Sequence, residues 1–318
     1  MREVTCHAVG EGRIAQALDD IAGRTLGRWH GLRYDDPSPE RMKEMRDELL
    51  DHVAARAVED PALGDELSRA ALRTAAECSL GVLSVGCFPG GDQEIEFPLI
   101  GERLSSEDID FRDVAEQAPT AGTWLDTFAM CLVSGAVWEW QRVIGLLLRG
   151  DYAPAIRDGV PYSKLTSTSE PADVAAMDAL CGYLTEESGH LPRDWPTVTL
   201  CEPDADERAE AARRLDAVGG LTPDQRLLRA LLDDDQHTFE QALVARLAEH
   251  GDGAGPDPSP RSLLPVGAVA VAALAVQVHG WELGVRSGYL PPALLGSTDA
   301  LRVAADAGPN TLGGWYAK

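Results

Sequence analysis

Glu186 and His190 come closest, among the residues that could do chemistry, to the spacing of a metal motif. They lie four positions apart, so on a helix they would share one face, and Asp178 and Cys181 precede them. A zinc site needs three or four ligands that converge from fixed elements. The turn-forming sequence at 189–192 instead favours a helix end, where the helix dipole attracts a histidine. A metal-dependent hydrolase is therefore only an alternative interpretation, and we predict no metal site.

One glycine pattern, Gly10–Ala15, fits the GxGxxA signature of a dinucleotide-binding turn. Such a site also needs a second strand that ends in an acidic residue about 20 positions later. The segment Leu26–Asp36 makes a poor strand, so the pattern does not continue. The sequence also contains no phosphate loop, no GxSxG elbow and no HExxH motif. We therefore predict that the chain is not an enzyme and that it uses no cofactor.

Net charge is the most unusual property of the chain. Aspartate and glutamate number 52 against 28 lysines and arginines, which gives a formal net charge of −24 at pH 7. A field of this sign repels nucleic acid and anionic membranes, and it speeds the encounter with basic partners. We therefore predict a basic protein partner, with no nucleic-acid or membrane binding. Acidity that serves solubility alone is the alternative interpretation.

The acidic residues concentrate in two places. Nine of them lie in the segment 91–119, opposed only by Arg103 and Arg112, and a second run occupies 233–235. The second run lacks the spaced acids and closing glutamate of a calcium loop, so a solvated turn is the favoured local structure. Local charge density alone marks the predicted partner contacts, which are Asp92, Glu94, Glu96, Glu107, Asp108, Asp110, Asp233, Asp234 and Asp235.

Hydrophobic periodicity indicates helices over most of the chain. Trp124, Phe128, Cys131 and Trp138 form one stripe of a segment that is apolar on most faces, as in a central helix. Apolar residues three and four positions apart predict the remaining helices. The predicted helices lie at about 12–26, from Pro39 onward, from Pro61 onward, at 120–150 with one break, at 171–188, at 204–218, at 222–250 with an interruption at Asp233–Asp235, and at 265–287.

Only two segments, Glu3–Ala8 and Glu94–Phe97, have the character of strands. The predicted fold class is therefore mostly α, a helical bundle or stacked helical hairpins with at most one or two short strands. We expect a single domain over residues 1–318. It could divide into N-terminal helices with the acidic segment (1–119) and a helical core (120–318), and the glycine- and proline-rich stretch 251–260 is expected to be a flexible connection.

Cysteine usage and apolar runs indicate a cytoplasmic protein. None of the six cysteines forms a CxxC pair, and a chain of this length does not need disulfide bonds for stability. The N-terminus lacks the apolar core of a signal peptide. The most apolar run, Leu263–Val276, is shorter than the roughly 20 residues that a membrane span needs. We therefore expect reduced thiols, and a buried core helix at this run.

Six segments spread along the chain carry a family resemblance. They are Thr123–Phe128 continuing to Trp138, Leu148–Tyr152, Tyr183–Thr185, His190–Trp195, Leu227–Phe239 and Val278–Trp281. Through them the chain resembles the immunity 49 proteins, which are found in actinobacteria beside polymorphic toxins. The resemblance is one of sequence texture and contains no catalytic signature, so it transfers no functional residue to a position of this chain.

The resemblance implies a protein that binds a cognate toxin and neutralises it by steric or electrostatic masking. Such a protein needs no catalytic site, and an acidic face would suit a basic toxin. The alternative function is a non-enzymatic helical scaffold that binds peptides or regulatory proteins in a concave groove. The sequence does not indicate the oligomeric state or the activity of the toxin.

Overall fold

Helices form most of the chain. The structure, a computed structural model, describes residues 2–138, 144–160, 163–187 and 197–307. The α-helices are α1 (Glu11–Leu18), α2 (Ile21–Tyr34), α3 (Pro39–Glu59), α4 (Glu66–Cys87), α5 (Ala121–Val133), α6 (Ile144–Leu146), α7 (Ala153–Asp158), α8 (Pro171–Cys181), α9 (Ala205–Val218), α10 (Pro223–Leu232), α11 (Gln236–Asp252), α12 (Val266–Gln277), α13 (Pro292–Leu295) and α14 (Ala300–Ala307). The mostly α fold predicted from the sequence is confirmed.

Short strands connect the helices in three separate two-stranded sheets. The strands of the described residues are β1 (Arg2–Val4), β2 (Glu94–Phe97), β3 (Glu102–Ser105), β4 (Leu184–Glu187), β5 (Thr197–Leu200) and β6 (Val285–Ser287). The pairs β2–β3 and β4–β5 are antiparallel, and β1 pairs in parallel with β6. The prediction of at most two strands was too low, because pairings of three or four residues leave almost no periodic signal in a sequence.

The helices α3 and α4 pack together as a hairpin. Met42, Met45, Leu49 and Val53 of α3 are fully buried, and their three- and four-residue spacing places them on one face, as predicted. α3 begins at Pro39, a residue that suits the first helical turn. The predicted start of the next helix at Pro61 was wrong. The Asp65 side chain accepts a hydrogen bond from the Ser68 backbone N–H (2.8 Å), and α4 starts after it.

The predicted N-terminal helix is two helices. Asp20 has φ 31°, in the left-handed region, and its side chain accepts a hydrogen bond from the Gly23 N–H at the start of α2. Aspartate tolerates this conformation and caps a helix well, so the chain turns here although the apolar pattern continues.

The centre of the molecule is α12, which packs against α5, α10, α11 and α13. Every residue from Ala268 to Gln277 is buried. Most of them are alanine or valine, so neighbouring helices approach closely. The segment Pro260–Gln277 is long and apolar enough to cross a membrane, but 78% of it is buried inside the protein. Such burial is typical of a core helix, as the sequence predicted.

Two predicted helical segments are interrupted at glycines. The break predicted within the 120–150 helix comes after Val133, where Gly135 has φ +78°, a conformation that leads into a 3-10 turn at Ala136–Trp138. The 265–287 helix stops at Gln277, shortly before Gly280 with φ +69°, and β6 follows. Beyond the first of these turns the chain returns to α5, where the buried Trp124 Nε1–H donates a hydrogen bond to the Leu148 carbonyl (2.9 Å).

The C-terminal half contains two well-capped helix starts. Asp204 with Glu207, and Thr222 with Gln225, form reciprocal capping boxes at the starts of α9 and α10. The predicted interruption at Asp233–Asp235 is confirmed, since it joins α10 to α11 as a helical hairpin. α8 ends at Cys181 and is followed by β4, so the prediction of a helix through 188 was wrong.

Nearly all buried apolar residues of the described chain belong to one cluster, which extends from Ile21 in α2 to Leu294 in α13. Segments distant in sequence close around it. His7 lies between the Tyr289 hydroxyl (2.7 Å from Nδ1) and the Ser262 hydroxyl (2.8 Å from Nε2), next to the β1–β6 pair. The predicted single domain and its subdivision stay predictions.

His52 is a buried imidazole that makes stability depend on pH. Its side chain is fully buried on α3, with Nδ1 3.2 Å from the Ala17 carbonyl and Nε2 3.5 Å from the Ser68 hydroxyl. Burial lowers the pKa of this ring below its usual value of 6.5. The unfolded chain therefore binds a proton at a higher pH than the folded chain. The stabilisation is present above about pH 6.5 and is lost as the pH falls below it.

We expect His52→Gln to flatten the decrease in the free energy of unfolding between pH 7 and pH 5. At neutral pH the variant should lose about 1–2 kcal/mol, because its buried hydrogen bonds are imperfectly replaced. Urea denaturation at several pH values measures both effects. An unchanged slope would show that another group controls the pH dependence.

Candidate functional site

The acidic segment predicted to contact a partner is built on the β2–β3 hairpin. Along β2, Ile95 and Phe97 are buried, whereas Glu94 and Glu96 are exposed on the opposite face. This alternation follows from the two-residue period of a strand. The hairpin therefore fixes a row of carboxylates on the surface while its apolar side anchors it to the core.

Ion pairs divide the predicted hairpin contacts into two groups. Glu94 pairs with Arg103 (2.8 Å), Asp108 with Arg33 (3.0 Å) and Asp110 with Arg112 (3.0 Å). The Arg112 side chain lowers the pKa of Asp110. The other three carboxylates are exposed and form no ion pair with any described residue. We call these three the hairpin acids: Asp92, Glu96 and Glu107.

The second predicted contact, Asp233–Asp235, has partners inside the chain. Asp233 accepts from Arg229 (2.5 Å). Asp234 contacts the His279 ring (2.9 Å) and the Arg208 guanidinium (3.0 Å). Asp235 caps α11 by accepting from the backbone N–H groups of His237 and Thr238. These carboxylates stabilise the α10–α11 turn, and their predicted role in partner binding stays a prediction.

A third acidic surface was not predicted from the sequence. Five aspartates from four helices lie close enough to interact electrostatically, and we call them the five-aspartate face: Asp47 and Asp51 of α3, Asp126 of α5, Asp173 in the first turn of α8, and Asp224 in the first turn of α10. Asp126 interacts electrostatically with Asp47, Asp173 and Asp224, and Asp51 interacts with Asp47.

Four of these aspartates have a close partner. Asp47 pairs with Arg46 (2.9 Å), and Asp51 accepts from the backbone N–H of Arg261 (2.8 Å). Asp173 accepts from the Gln225 amide (2.7 Å), and Asp224 pairs with Arg246 (2.6 Å). Burial is the largest effect that raises the pKa of Asp51 and of Asp173.

Asp126 is the exception on this face. Its side chain is exposed, and it forms no hydrogen bond or ion pair with any described residue. The surrounding protein nevertheless removes enough hydration to raise its pKa, and the negative charges of Asp173, Asp47 and Asp224 raise it further. Arg46 opposes this shift. An ionised Asp126 is therefore under-compensated, and a cation from a partner would relieve the repulsion.

No single stretch of the sequence reveals the five-aspartate face, because its members span positions 47 to 224 and are spread over four helices. A partial signal exists at two of them. Pro171 and Pro223 mark helix starts, and an acid in the first turn after each proline favours the positive end of the helix dipole.

The metal motif weighed from the sequence does not assemble in the described residues. Glu186 lies in β4 rather than on a helix, and His190 lies outside the described residues. Asp178 forms an ion pair with Arg157. Burial raises the pKa of Cys181 to about 12, so this thiol stays protonated and is a poor ligand.

A groove of about 670 Å³ lies between α2 and α3. Arginines line it, but Arg24 pairs with Glu48 (3.0 Å), Arg28 with Glu44 (3.1 Å) and Arg41 with Asp36 (3.1 Å). Because its cations are already neutralised by the chain, this groove offers little attraction for an acidic peptide.

We expect Asp126→Asn to stabilise the fold. Removing the charge ends the repulsion from Asp47, Asp173 and Asp224, so the free energy of unfolding should rise by roughly 0.5 kcal/mol or less, the scale of exposed like-charge contacts. Asp224→Asn is the matched control. It breaks the ion pair with Arg246 and should lower the free energy of unfolding by up to about 1 kcal/mol. Denaturant titration at pH 7 measures both, and a destabilised Asp126→Asn would contradict this electrostatic description.

Comparison with known proteins identifies the family. Neither curated proteins nor solved structures gave a match. A protein-family model described as Immunity protein 49 matches residues 60–294. The matched region contains the β2–β3 hairpin, Asp126, Asp173 and Asp224, whereas Asp47 and Asp51 precede it. Because the match spans well over half of the 318 residues, the chain belongs to the immunity protein 49 family.

Proposed function

We propose that this chain binds a cognate polymorphic toxin in the cytoplasm and neutralises it without catalysis. The observation that carries the proposal is the match of residues 60–294 to the immunity protein 49 family. An immunity role requires a surface that recognises the toxin and covers a part that the toxin needs. Tight binding alone achieves this, so a catalytic constellation is not required.

The net charge of −24 supports a basic toxin. A field of this strength can raise the rate of association with a basic partner by about 10- to 1,000-fold at low ionic strength. Fast capture suits a protein that must intercept a toxin before damage occurs. The attraction is long-range, so it favours encounter over final affinity.

Contact is proposed at the hairpin acids and at Asp126. A carboxylate that already pairs with an arginine is partly neutralised, so a toxin cation gains less from binding it. Asp92, Glu96 and Glu107 have no such partner among the described residues, so a lysine or arginine of the toxin gains their full interaction. Asp126 should gain more per charge, because it is partly dehydrated and repelled by its neighbours.

A helical scaffold for peptides is the second candidate function, and the groove between α2 and α3 is the observation that bears on it. Its paired arginines argue against acidic peptides. A scaffold would bind proteins encoded elsewhere, whereas an immunity protein binds the product of a neighbouring gene. A pull-down that captured only unrelated proteins would favour the scaffold.

We expect the double substitution Glu96→Lys with Glu107→Lys to slow association with the toxin at least tenfold at low salt. The probe is a catalytically inactive form of the toxin domain encoded immediately upstream, and stopped-flow or surface-based kinetics at several salt concentrations measures the rate. Asp19→Lys with Asp252→Lys is the matched control. It changes the net charge by the same amount at exposed positions at the ends of α1 and α11, where a cation suits the helix dipole.

A smaller effect in the control would place the encounter at the hairpin. Equal slowing by both variants would show that only the total charge matters and would remove the hairpin from the interface. Asp126→Asn adds a second readout. If Asp126 contacts the toxin, this substitution should weaken toxin binding while it stabilises the free protein. If Asp126 lies outside the interface, toxin binding should be unchanged.

A further inference from the structure

Three segments distant in sequence bring a histidine and two carboxylates together at the end of α12. His279 follows α12, Asp234 lies in the α10–α11 turn, and Glu202 precedes α9. One ligand atom from each of the three lies within 4.8 Å of the other two. The His279 side chain is 1% exposed, while those of Glu202 and Asp234 are open to solvent at 38% and 37%. The group is a shallow polar site with an imidazole at its base.

The distances between these atoms suit a small divalent cation. His279 Nδ1 is 2.9 Å from Asp234 Oδ1 and 3.8 Å from Glu202 Oε1. Ligand atoms about 2.0–2.1 Å from a tetrahedral zinc ion lie roughly 3.3 Å from each other. Binding a cation between the three atoms would therefore change each of these two distances by only a few tenths of an ångström.

The histidine ring is held as the rings of metal ligands are held. The Tyr183 hydroxyl lies 3.0 Å from Nε2, and the Trp281 ring packs against the imidazole with centroids 4.9 Å apart. Ligating histidines almost always use their second ring nitrogen in such a hydrogen bond, which fixes the ring and its tautomer. With a metal at Nδ1, the imidazole proton resides on Nε2 and is donated to the Tyr183 oxygen.

Arg208 lies beside the site. Its guanidinium donates to Glu202 Oε1 (2.5 Å) and to Asp234 Oδ2 (3.0 Å), and it also donates to the Pro203 carbonyl (2.5 Å). Asp234 therefore keeps Oδ1 turned toward the imidazole. A metal bound to Glu202 Oε1 would replace Arg208 at that oxygen, and the guanidinium would keep its hydrogen bonds to Asp234 Oδ2 and to the Pro203 carbonyl. Two carboxylates against one guanidinium leave the site net negative, which favours a cation.

We propose that His279, Asp234 and Glu202 form a zinc site. Imidazole nitrogen with carboxylate oxygen suits Zn²⁺, whereas Ca²⁺ and Mg²⁺ prefer oxygen ligands alone. The ion ties together the start of α9, the α10–α11 turn and the end of α12. The site is separate from the hairpin acids and from Asp126, so it does not depend on the proposed toxin binding.

The test is a titration of the metal-free full-length protein with Zn²⁺ by isothermal calorimetry, with Mg²⁺ as the comparison ion. We expect one saturable equivalent of Zn²⁺ and a higher Tm in its presence. Glu202→Gln and His279→Gln should each abolish this equivalent. Tyr183→Phe keeps the buried ring but removes the hydroxyl, and it should weaken binding by about 10- to 100-fold.

His237→Gln is the matched control, because His237 is exposed on the adjoining first turn of α11 and lies outside the three-residue group. It should bind Zn²⁺ as the unsubstituted protein does. No saturable Zn²⁺ binding, or binding that survives both Glu202→Gln and His279→Gln, would overturn the proposal and leave these residues as an ion-pair network only. Glu202 is partly exposed, so its variant tests the site even if the buried His279→Gln variant fails to fold.

Discussion

The burial of α12 is the constraint on which the rest of the structure depends. A helix whose residues from Ala268 to Gln277 are all buried needs neighbours on every side, and α5, α10, α11 and α13 supply them. Gln277 at its end is held by the Trp138 Nε1–H (2.8 Å) and by the Leu295 carbonyl (3.0 Å), so the one polar side chain of this helix is satisfied. With the apolar side chains gathered around α12, the excess of acidic residues must lie on the outer faces of the surrounding helices and on the β2–β3 hairpin.

These outer acidic residues have different roles, which their hydrogen-bond and ion-pair partners within the chain distinguish. Some stabilise the chain itself: Asp65, Asp204 and Asp235 cap helices, and Asp233 and Asp224 pair with arginines. The hairpin acids and Asp126 have no such intramolecular role among the described residues. Loss of hydration and the charges of neighbouring carboxylates raise the pKa of Asp126, so its ionised form is disfavoured in the folded protein. A residue that costs stability and repels its neighbours is the kind of residue that binding retains.

The sequence predicted those features of the fold that depend on residues close together in the chain. The stripe of α3, the strand at Glu94–Phe97, the α10–α11 turn and the buried run of α12 each depend on neighbouring residues, and each was predicted. The break after α5 was predicted without its position, and the end of α12 was not predicted, because the positive φ angles of Gly135 and Gly280 turn the chain while the apolar pattern continues. The β1–β6 pairing joins residues 2–4 to 285–287 and is non-local. The five-aspartate face and the contacts of Asp234 with Arg208 and His279 likewise exist only after the helices have packed.

Survival on co-expression tests the central claim, neutralisation of a cognate toxin, most directly. The proposed cognate toxin domain, sought in the gene immediately upstream, is expressed with and without this chain, and surviving cells are counted. The account predicts survival only when both are present, together with a complex that co-purifies. Failure to rescue, with a toxin shown to be active and this protein shown to be soluble in the same cells, would contradict it.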